Sequence, residues 1–306
     1  MTAGVLGTRI RVLRRYRFLY LMAVPVVLFY ALFHYAPMYG LIIAFKDYNV
    51  FKGILGSPWA GLYNFEQVFG DAYFWKVVRN TAIISLLKLV FGFPAPIIIA
   101  LLLNEVLHMG FKRVIQTIIY LPRFISWVIL AGIMINILSI HGGLVNQIVE
   151  LFGGTPQSYL MKADYFRPIV TISHIWKTAG WGSIIYLAAL AGINVELYES
   201  AVIDGAGKWR QTWHVTLPGI RPAIILLFIL SLADIMNAGF DQIFVLYNSL
   251  TQEVGDIIDT YVYRQGLQAA RYSYATVVGI FKSVIGLILI YGADRLFKAL
   301  GEDGLI

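Results

Sequence analysis

The 306-residue chain has no cysteine, which excludes disulfides, thiolate nucleophiles and cysteine-ligated metals. Charge is scarce as well: 13% of residues are Asp, Glu, Lys or Arg, against about a quarter in an ordinary soluble domain. Acids are rarer than bases, 17 against 24, leaving a net charge of +7. The five histidines, His34, His108, His141, His174 and His214, fall one per segment, and no pair has metal-ligand spacing. No Gly-x-Ser-x-Gly elbow appears. The nearest approach to a phosphate loop is Gly207-Lys208, but Val202 stands where the first glycine belongs and Trp209 follows the lysine. The chain therefore offers no catalytic cluster, no ATPase motif and no metal site. Internal repeats, low-complexity tracts and long linkers are also missing, which implies one membrane domain.

What fills the chain instead is apolar sequence, 59% hydrophobic with a mean hydropathy of +0.72. Runs of about 18 or more apolar residues read as membrane helices. The runs predict an all-α integral membrane protein with six spans, at 18–45, 77–103, 114–138, 168–193, 220–236 and 274–297. The first follows Arg9, Arg11, Arg14, Arg15 and Arg17. It is too long for a signal-peptide core and lacks a small-residue cleavage site, so it reads as a retained anchor. The positive-inside rule then places both termini in the cytoplasm. Residues 1–17 form a basic N-terminus, 18–297 the membrane domain and 298–306 a cytoplasmic tail. Much of the net charge is thus accounted for by topology, and nucleic acid is set aside as a partner.

This orientation puts the segment ESAVIDGAGKWRQTWHVTLP, residues 199–218, in the cytoplasm between the fourth and fifth spans. Asn194 is competent to cap a helix whose first turn carries Glu196 and Glu199, where negative charge suits the helix dipole. Gly205 and Gly207 permit a sharp turn after Asp204. A second helix over 208–215 sets Trp209 and Trp213 four apart on one face, and Pro218 opens the next span. Two readings fit these residues: an amphipathic helix anchored at the membrane surface, or a docking helix for a soluble partner.

Glu199-Ser200-Ala201, Asp204-Gly205-Ala206-Gly207 and Val215-Thr216-Leu217-Pro218 resemble the EAA loop of permease subunits of ATP-binding-cassette importers, with every spacing matched. Ser200 in place of the first alanine is the one departure, small for small. Residues 35–65 and 111–132 resemble the carbohydrate-importer branch, and within it permeases for oligosaccharides of polysaccharide breakdown, alginate and pectin fragments among them. The similarity runs from about residue 16 to about 297.

The resemblance implies a type I importer permease fold in a bacterial inner membrane, with a core of five spans over about 77–297 and a peripheral first span. It implies a second homologous permease, two cytoplasmic ATPase subunits that carry the ATP and magnesium, and a solute-binding protein outside. The helix-turn-helix at 195–217 would couple ATPase closure to alternating access. Glu199 would meet a basic ATPase residue, while Ala201, Gly205 and Ala206 allow close approach. This chain would hold no cofactor of its own, and membrane lipid and an oligosaccharide would complete its contacts.

Ionisable residues inside spans are costly and face a cavity or a partner. Lys88, Arg123, Lys177 and Lys282 are the bases so placed, Asp234 the acid, and Trp127, Trp176, Trp181, Phe240 and Tyr247 are aromatic faces on which sugar rings would stack. Either the bases line a cavity that screens the carboxylates of an acidic oligosaccharide, or they snorkel or pair with helix-end carbonyls, with Lys282 on Asp234. An ion-gradient transporter is the rival class. It would not need the cytoplasmic helix-turn-helix and would usually show a repeated or broken-helix pattern.

Overall fold

The computed structural model describes residues 16–299. Arg9, Arg11, Arg14 and Arg15 of the basic N-terminus, and the tail from residue 300 onward, lie outside the described residues. Among the described residues regular structure is helical apart from one antiparallel bridge between Lys46 and Trp59. Three helices are long and apolar enough to cross a membrane: α1 (Arg17–Phe45), α2 (Ala72–Glu105) and α9 (Tyr272–Ala299). Three bent pairs raise the number to six if each pair is one crossing. They are α3 (Met109–Phe124) with α4 (Trp127–Ile137), α5 (Ala163–Ala191) with α6 (Val195–Ile203), and α7 (Lys208–Gly219) with α8 (Arg221–Ala233).

Proline and glycine explain the departures from straight helix. In α2, Pro94 and Pro96 remove two backbone donors, and a π turn at Lys88–Gly92 precedes them. The third predicted span, read as continuous over 114–138, bends by 106°. Pro122 tightens Leu121–Phe124 into a 3-10 turn, and Ser126 starts α4 afresh by accepting the Ile129 N–H at 3.3 Å. The fifth, predicted over 220–236, ends at Ala233 after only 13 residues. Pro218 does not open it: Pro218 sits inside α7, and a 62° bend with Pro222 just beyond separates the two helices. The second helix of the helix-turn-helix, predicted over 208–215, runs on to Gly219 through a π turn at Thr212–Thr216.

α5 is the spine of the bundle. It packs along α2 and against α3, and its glycines let it approach. A methyl group on Gly180 would stand 2.1 Å from the Ile119 carbonyl of α3, and one on Gly182 would stand 3.1 Å from Pro96 of α2. One apolar cluster joins Phe74, Val77, Ile258, Tyr261 and Val277. A second joins Ile84, Leu130, Phe166, Val170, Ala238 and Ile243, and a third joins Ala100, Tyr186, Leu190 and Ile220. No residue of Arg17–Tyr30 is buried, while the last turns of α1 bury Ala44 against α9, so α1 stands at the edge.

The Ala72 end of α2 is held by a polar network. Asp71 accepts from the Tyr73 N–H at 2.8 Å and from the Tyr261 and Tyr274 hydroxyls at 2.8 and 2.9 Å. Asp256, fully buried, takes both terminal nitrogens of Arg264 and the hydroxyls of Tyr73 and Thr260. Arg167 of α5 reaches Asn80 of α2 at 2.9 Å.

Candidate functional site

The helix-turn-helix is a self-contained elbow. Asn194 accepts the Glu196 N–H at 3.1 Å and starts α6. The helix stops because Gly205 adopts a left-handed conformation, φ +74°. Its N–H then reaches the Val202 carbonyl at 3.0 Å, and the Ala206 N–H reaches the Ala201 carbonyl at 2.8 Å. This pair of bonds is a Schellman cap, which satisfies carbonyls that would otherwise be orphaned. Gly205 therefore serves the backbone here; open space surrounds the position a methyl group would take. Gly207 is ordinary by comparison, with φ −69° and ψ 168°.

Three contacts that the sequence pattern does not announce fix the elbow, one within its turn, one between its arms and one to α2. Buried Gln211 donates to the Ala206 carbonyl at 2.8 Å, Tyr198 donates to the Thr216 hydroxyl at 3.1 Å, and Lys208 pairs with Glu105 at 3.0 Å. The last joins the elbow to the far end of α2. Leu217 packs into the cluster of Ala100, Tyr186 and Ile220, whereas Pro218 is exposed. Glu199 is exposed and makes no side-chain hydrogen bond or ion pair among the described residues; Ser200 folds back onto the Glu196 carbonyl at 2.9 Å. Asp204 is exposed beside Ile203 (85% exposed). The knob is thus a rigid projection with an open apolar and acidic surface.

The four bases predicted inside spans divide sharply. Lys88 is buried and donates to the Ala238 carbonyl at 2.6 Å and to Gln242 Oε1 at 2.5 Å; Gln242 in turn donates to the Val170 carbonyl and the Ser173 hydroxyl. Lys177, also buried, donates to the carbonyls of Pro122, Arg123 and Ile125 and lies 5.1 Å from the centre of the Trp127 ring. Each lysine satisfies backbone oxygens at a break in a neighbouring helix, a requirement wherever helix hydrogen bonds are missing in hydrocarbon. Lys282 does not pair with Asp234; its ammonium is on Asp259, which Ile258–Val262 carries into reach. Asp234 instead accepts from the Asn237 side chain. Of the four bases only Arg123 has a head group with neither hydrogen bond nor ion pair among the described residues. It is exposed at the α3–α4 bend.

The aromatic candidates separate into groups. Trp181 stands edge-on to Phe124 and Tyr120, at 5.4 and 6.4 Å between ring centres, and Phe124 directly follows Arg123 in the chain. Phe240 and Tyr247 belong with Phe244 and Tyr263. Trp176 is half exposed on α5 and has no aromatic neighbour among the described residues. Lys88 and Asp234 line one cleft of about 420 Å³ between α2, α5 and α8, together with Ser85, His174, Ser231 and Asn237. Phe240 and Asp259 line a second cavity of about 730 Å³.

Comparison with known proteins bears on this arrangement. Residues 92–301 match the family described as the binding-protein-dependent transport system inner membrane component. The chain is 45% identical to the polygalacturonan/rhamnogalacturonan transport system permease protein YteP of Bacillus subtilis (strain 168), over 94% of this chain and 90% of that one. It is also 45% identical to protein LplB of the same organism, over 100% and 96% of the two chains. Among solved structures, a bacterial alginate ABC transporter in complex with alginate pentasaccharide-bound periplasmic protein contains a similar chain. Its TM-score is 0.89 at 41% identity, covering 96% of this chain and 99% of that chain.

Proposed function

This chain belongs to the binding-protein-dependent transport system inner membrane components, and from that membership we propose that it is the membrane-spanning subunit of an importer for acidic oligosaccharides of polysaccharide breakdown. It is a multi-pass protein of the inner membrane and a sugar ABC importer permease, a family in which ATP hydrolysis is done by a separate chain. The ion-gradient alternative falls with that assignment. The proposal adds six crossings with both termini cytoplasmic, a second permease, two ATPase subunits that hold ATP and magnesium, and an extracytoplasmic binding protein.

The capped elbow carries the coupling half of the reading. A docking knob works only if its shape survives the load, and here both arms are cross-bonded and tied through Lys208 and Glu105 to α2. Movement of an ATPase gripping Glu199 to Gly207 would pass into α5, α7 and α2 without first melting the turn. Alternating access then follows if the ATPase contacts the knob differently in its open and closed states, because a partner shifts an equilibrium only through differential affinity.

The acidic substrate class rests on two supports. The relatives above are named for polygalacturonan/rhamnogalacturonan and alginate transport, and Arg123, exposed and with no side-chain partner among the described residues, directly precedes Phe124, whose exposed ring meets the exposed Trp181. A guanidinium takes a carboxylate bidentately, while a ring stacks on the indole. Reconstitution with candidate ATPase, permease and binding-protein partners tests the whole reading. ATP-dependent uptake of tetragalacturonate is expected, unaffected by ionophores. Uptake that collapses with the ion gradient and ignores ATP would refute it.

A further inference from the structure

The elbow divides its charges between its arms. α6 carries Glu196 and Glu199 and no base, and Asp204 follows it in the turn; α7 carries Lys208, Arg210 and His214 and no acid. Lys208 is taken by Glu105. Arg210 is exposed, and its guanidinium has no partner among the described residues. Among these bases stand two tryptophans. Trp209 and Trp213 are 74% and 54% exposed, and their rings meet edge-on at 5.9 Å between centres, so they form one aromatic patch. Neither indole N–H has a hydrogen-bond partner among the described residues. The buried residues of α7 are Gln211 and Thr216, which make the elbow's internal bonds. The patch therefore plays no part in holding the elbow together.

Two markers fix the depth of this patch. α7 meets α8 at 62°, so each residue of α7 gains only about 0.7 Å along the α8 axis instead of about 1.5 Å. Trp213 and Trp209 precede Gly219, the end of α7, by six and ten residues, which puts them about 4 and 7 Å beyond the start of α8. The second marker is α2, a helix long and apolar enough to cross a membrane by itself. Its apolar run from Pro94 stops at Leu103, Asn104 and Glu105 follow, and Glu105 holds Lys208, the neighbour of Trp209, at 3.0 Å. With α2 and α8 in the bilayer, both markers put the tryptophans just outside the hydrocarbon, in a headgroup layer about 5–8 Å thick on each side. Tryptophan is enriched at that level because its ring is apolar and its N–H needs a polar partner.

We propose that α7 is a lipid anchor: Trp209 and Trp213 sit in the headgroup layer beside α2 and α8, and Arg210 takes the phosphate of an anionic phospholipid there. The anchor goes beyond the importer reading and rests on it only for the ATPase on the other arm. A guanidinium takes a phosphate bidentately, and an anionic leaflet attracts the bases of α7 and repels the carboxylates of α6. The two arms thus sort two partners, the acidic arm facing the ATPase and the basic arm facing the bilayer. An ATPase reaching the elbow finds α6 at a fixed height and tilt, because α7 cannot roll without pulling its indoles out of the layer.

Emission of the tryptophan pair is read as the difference between the complete transporter and its Trp209→Phe/Trp213→Phe form, in vesicles of phosphatidylcholine and phosphatidylglycerol without nucleotide. Each single variant gives the same comparison if the double variant does not fold. Lipid brominated near the headgroup end of its chains quenches this emission more than lipid brominated near the chain ends, with or without the ATPase subunits. One base at an anionic surface corresponds to about fivefold enrichment of the anionic lipid, so about five times as much brominated phosphatidylcholine is needed to match brominated phosphatidylglycerol. In the Arg210→Gln background that preference disappears and the quenching persists. Emission indifferent to bromine, or quenched only once the ATPase is removed, overturns the anchor and leaves the patch to water or to the ATPase. Equal quenching by the two lipids in wild type overturns the role of Arg210. ATP-dependent uptake without quenching refutes the anchor alone, whereas quenching in a complex that takes up no sugar with ATP refutes the importer reading and leaves the anchor standing.

Discussion

Replacing Gly205 by alanine isolates the conformational half of the elbow. No atom lies within 4 Å of the methyl group that would be added, so packing contributes nothing and the whole effect comes from φ +74°. Holding an L-residue left-handed costs ~1–2 kcal/mol. If the strain is relieved by letting the turn open, the docking-competent shape becomes the minor one and the apparent Kd for the ATPase subunit rises in proportion. One tenfold step corresponds to about 1.4 kcal/mol, so the expected loss is about 5- to 30-fold. Titration of purified ATPase against the permease pair in nanodiscs reads it, with sugar-stimulated ATP hydrolysis as the functional counterpart. Gly205→Asn recovers most of the loss, because asparagine tolerates this region, while Gly205→Val is worst. Gly207→Ala is close to silent: its backbone suits any residue and its surroundings are open. Equal damage at 205 and 207, or an asparagine no better than alanine, would show that the motif needs bare backbone contact at the ATPase surface and not the Schellman cap.

Arg123→Met raises the KM for tetragalacturonate about tenfold or more, the worth of a charge-assisted hydrogen bond, and leaves its methyl ester unchanged; equal loss for both sugars removes Arg123 from substrate recognition. Asp256→Ala strands the Arg264 guanidinium and the Tyr73 hydroxyl and costs about 3–5 kcal/mol, seen as a lowered Tm of the detergent-solubilised protein. Asp71 gives a pH signature: burial pushes its carboxyl up, but the Tyr261 and Tyr274 hydroxyls and the N–H groups of Tyr73 and Phe74 outweigh it and leave it below the ordinary 3.8. A depressed folded pKa contributes stability above the unfolded value and loses it as pH falls, so the Tm gap between wild type and Asp71→Asn is constant near neutrality and closes below about pH 4. A gap that widens with acid would contradict the hydrogen-bond account.

How much of this was legible in the sequence depended on range. The elbow was readable because its logic is local: Asn194 at the start and Gly205 at the stop act on residues a few positions away. Helix existence was likewise readable from apolar runs. What escaped was set by distant partners. Asp234 is the partner that one of the two sequence readings offers Lys282, as the acid inside a predicted span, yet Asp259 is carried to it by a short helix with no hydropathic signature. The 106° bend of the third span was hidden inside an unbroken apolar stretch, with Pro122 and Ser126 its only local signs. For Lys88 and Lys177 the sequence leaves two readings open, a cavity wall or pairing with helix-end carbonyls, and the structure takes the second. Gln211, Tyr198 and the Lys208–Glu105 pair carry no motif at all.

The lysine on α5 that satisfies the carbonyls of the α3–α4 bend follows them in the chain by 52 to 55 residues. A ribosome therefore delivers the acceptors first and their donor only after α4 and the following segment have emerged. Until then the bend holds exposed oxygens that oil will not accept, so α3 and α4 must wait at a watery insertion channel, or enter straight and fold back once α5 arrives. At the other break the order is reversed: Lys88 is made 150 residues before the Ala238 oxygen it serves, and its charge must be sheltered through most of translation. A chain halted before α5 would leave α3 and α4 unable to settle.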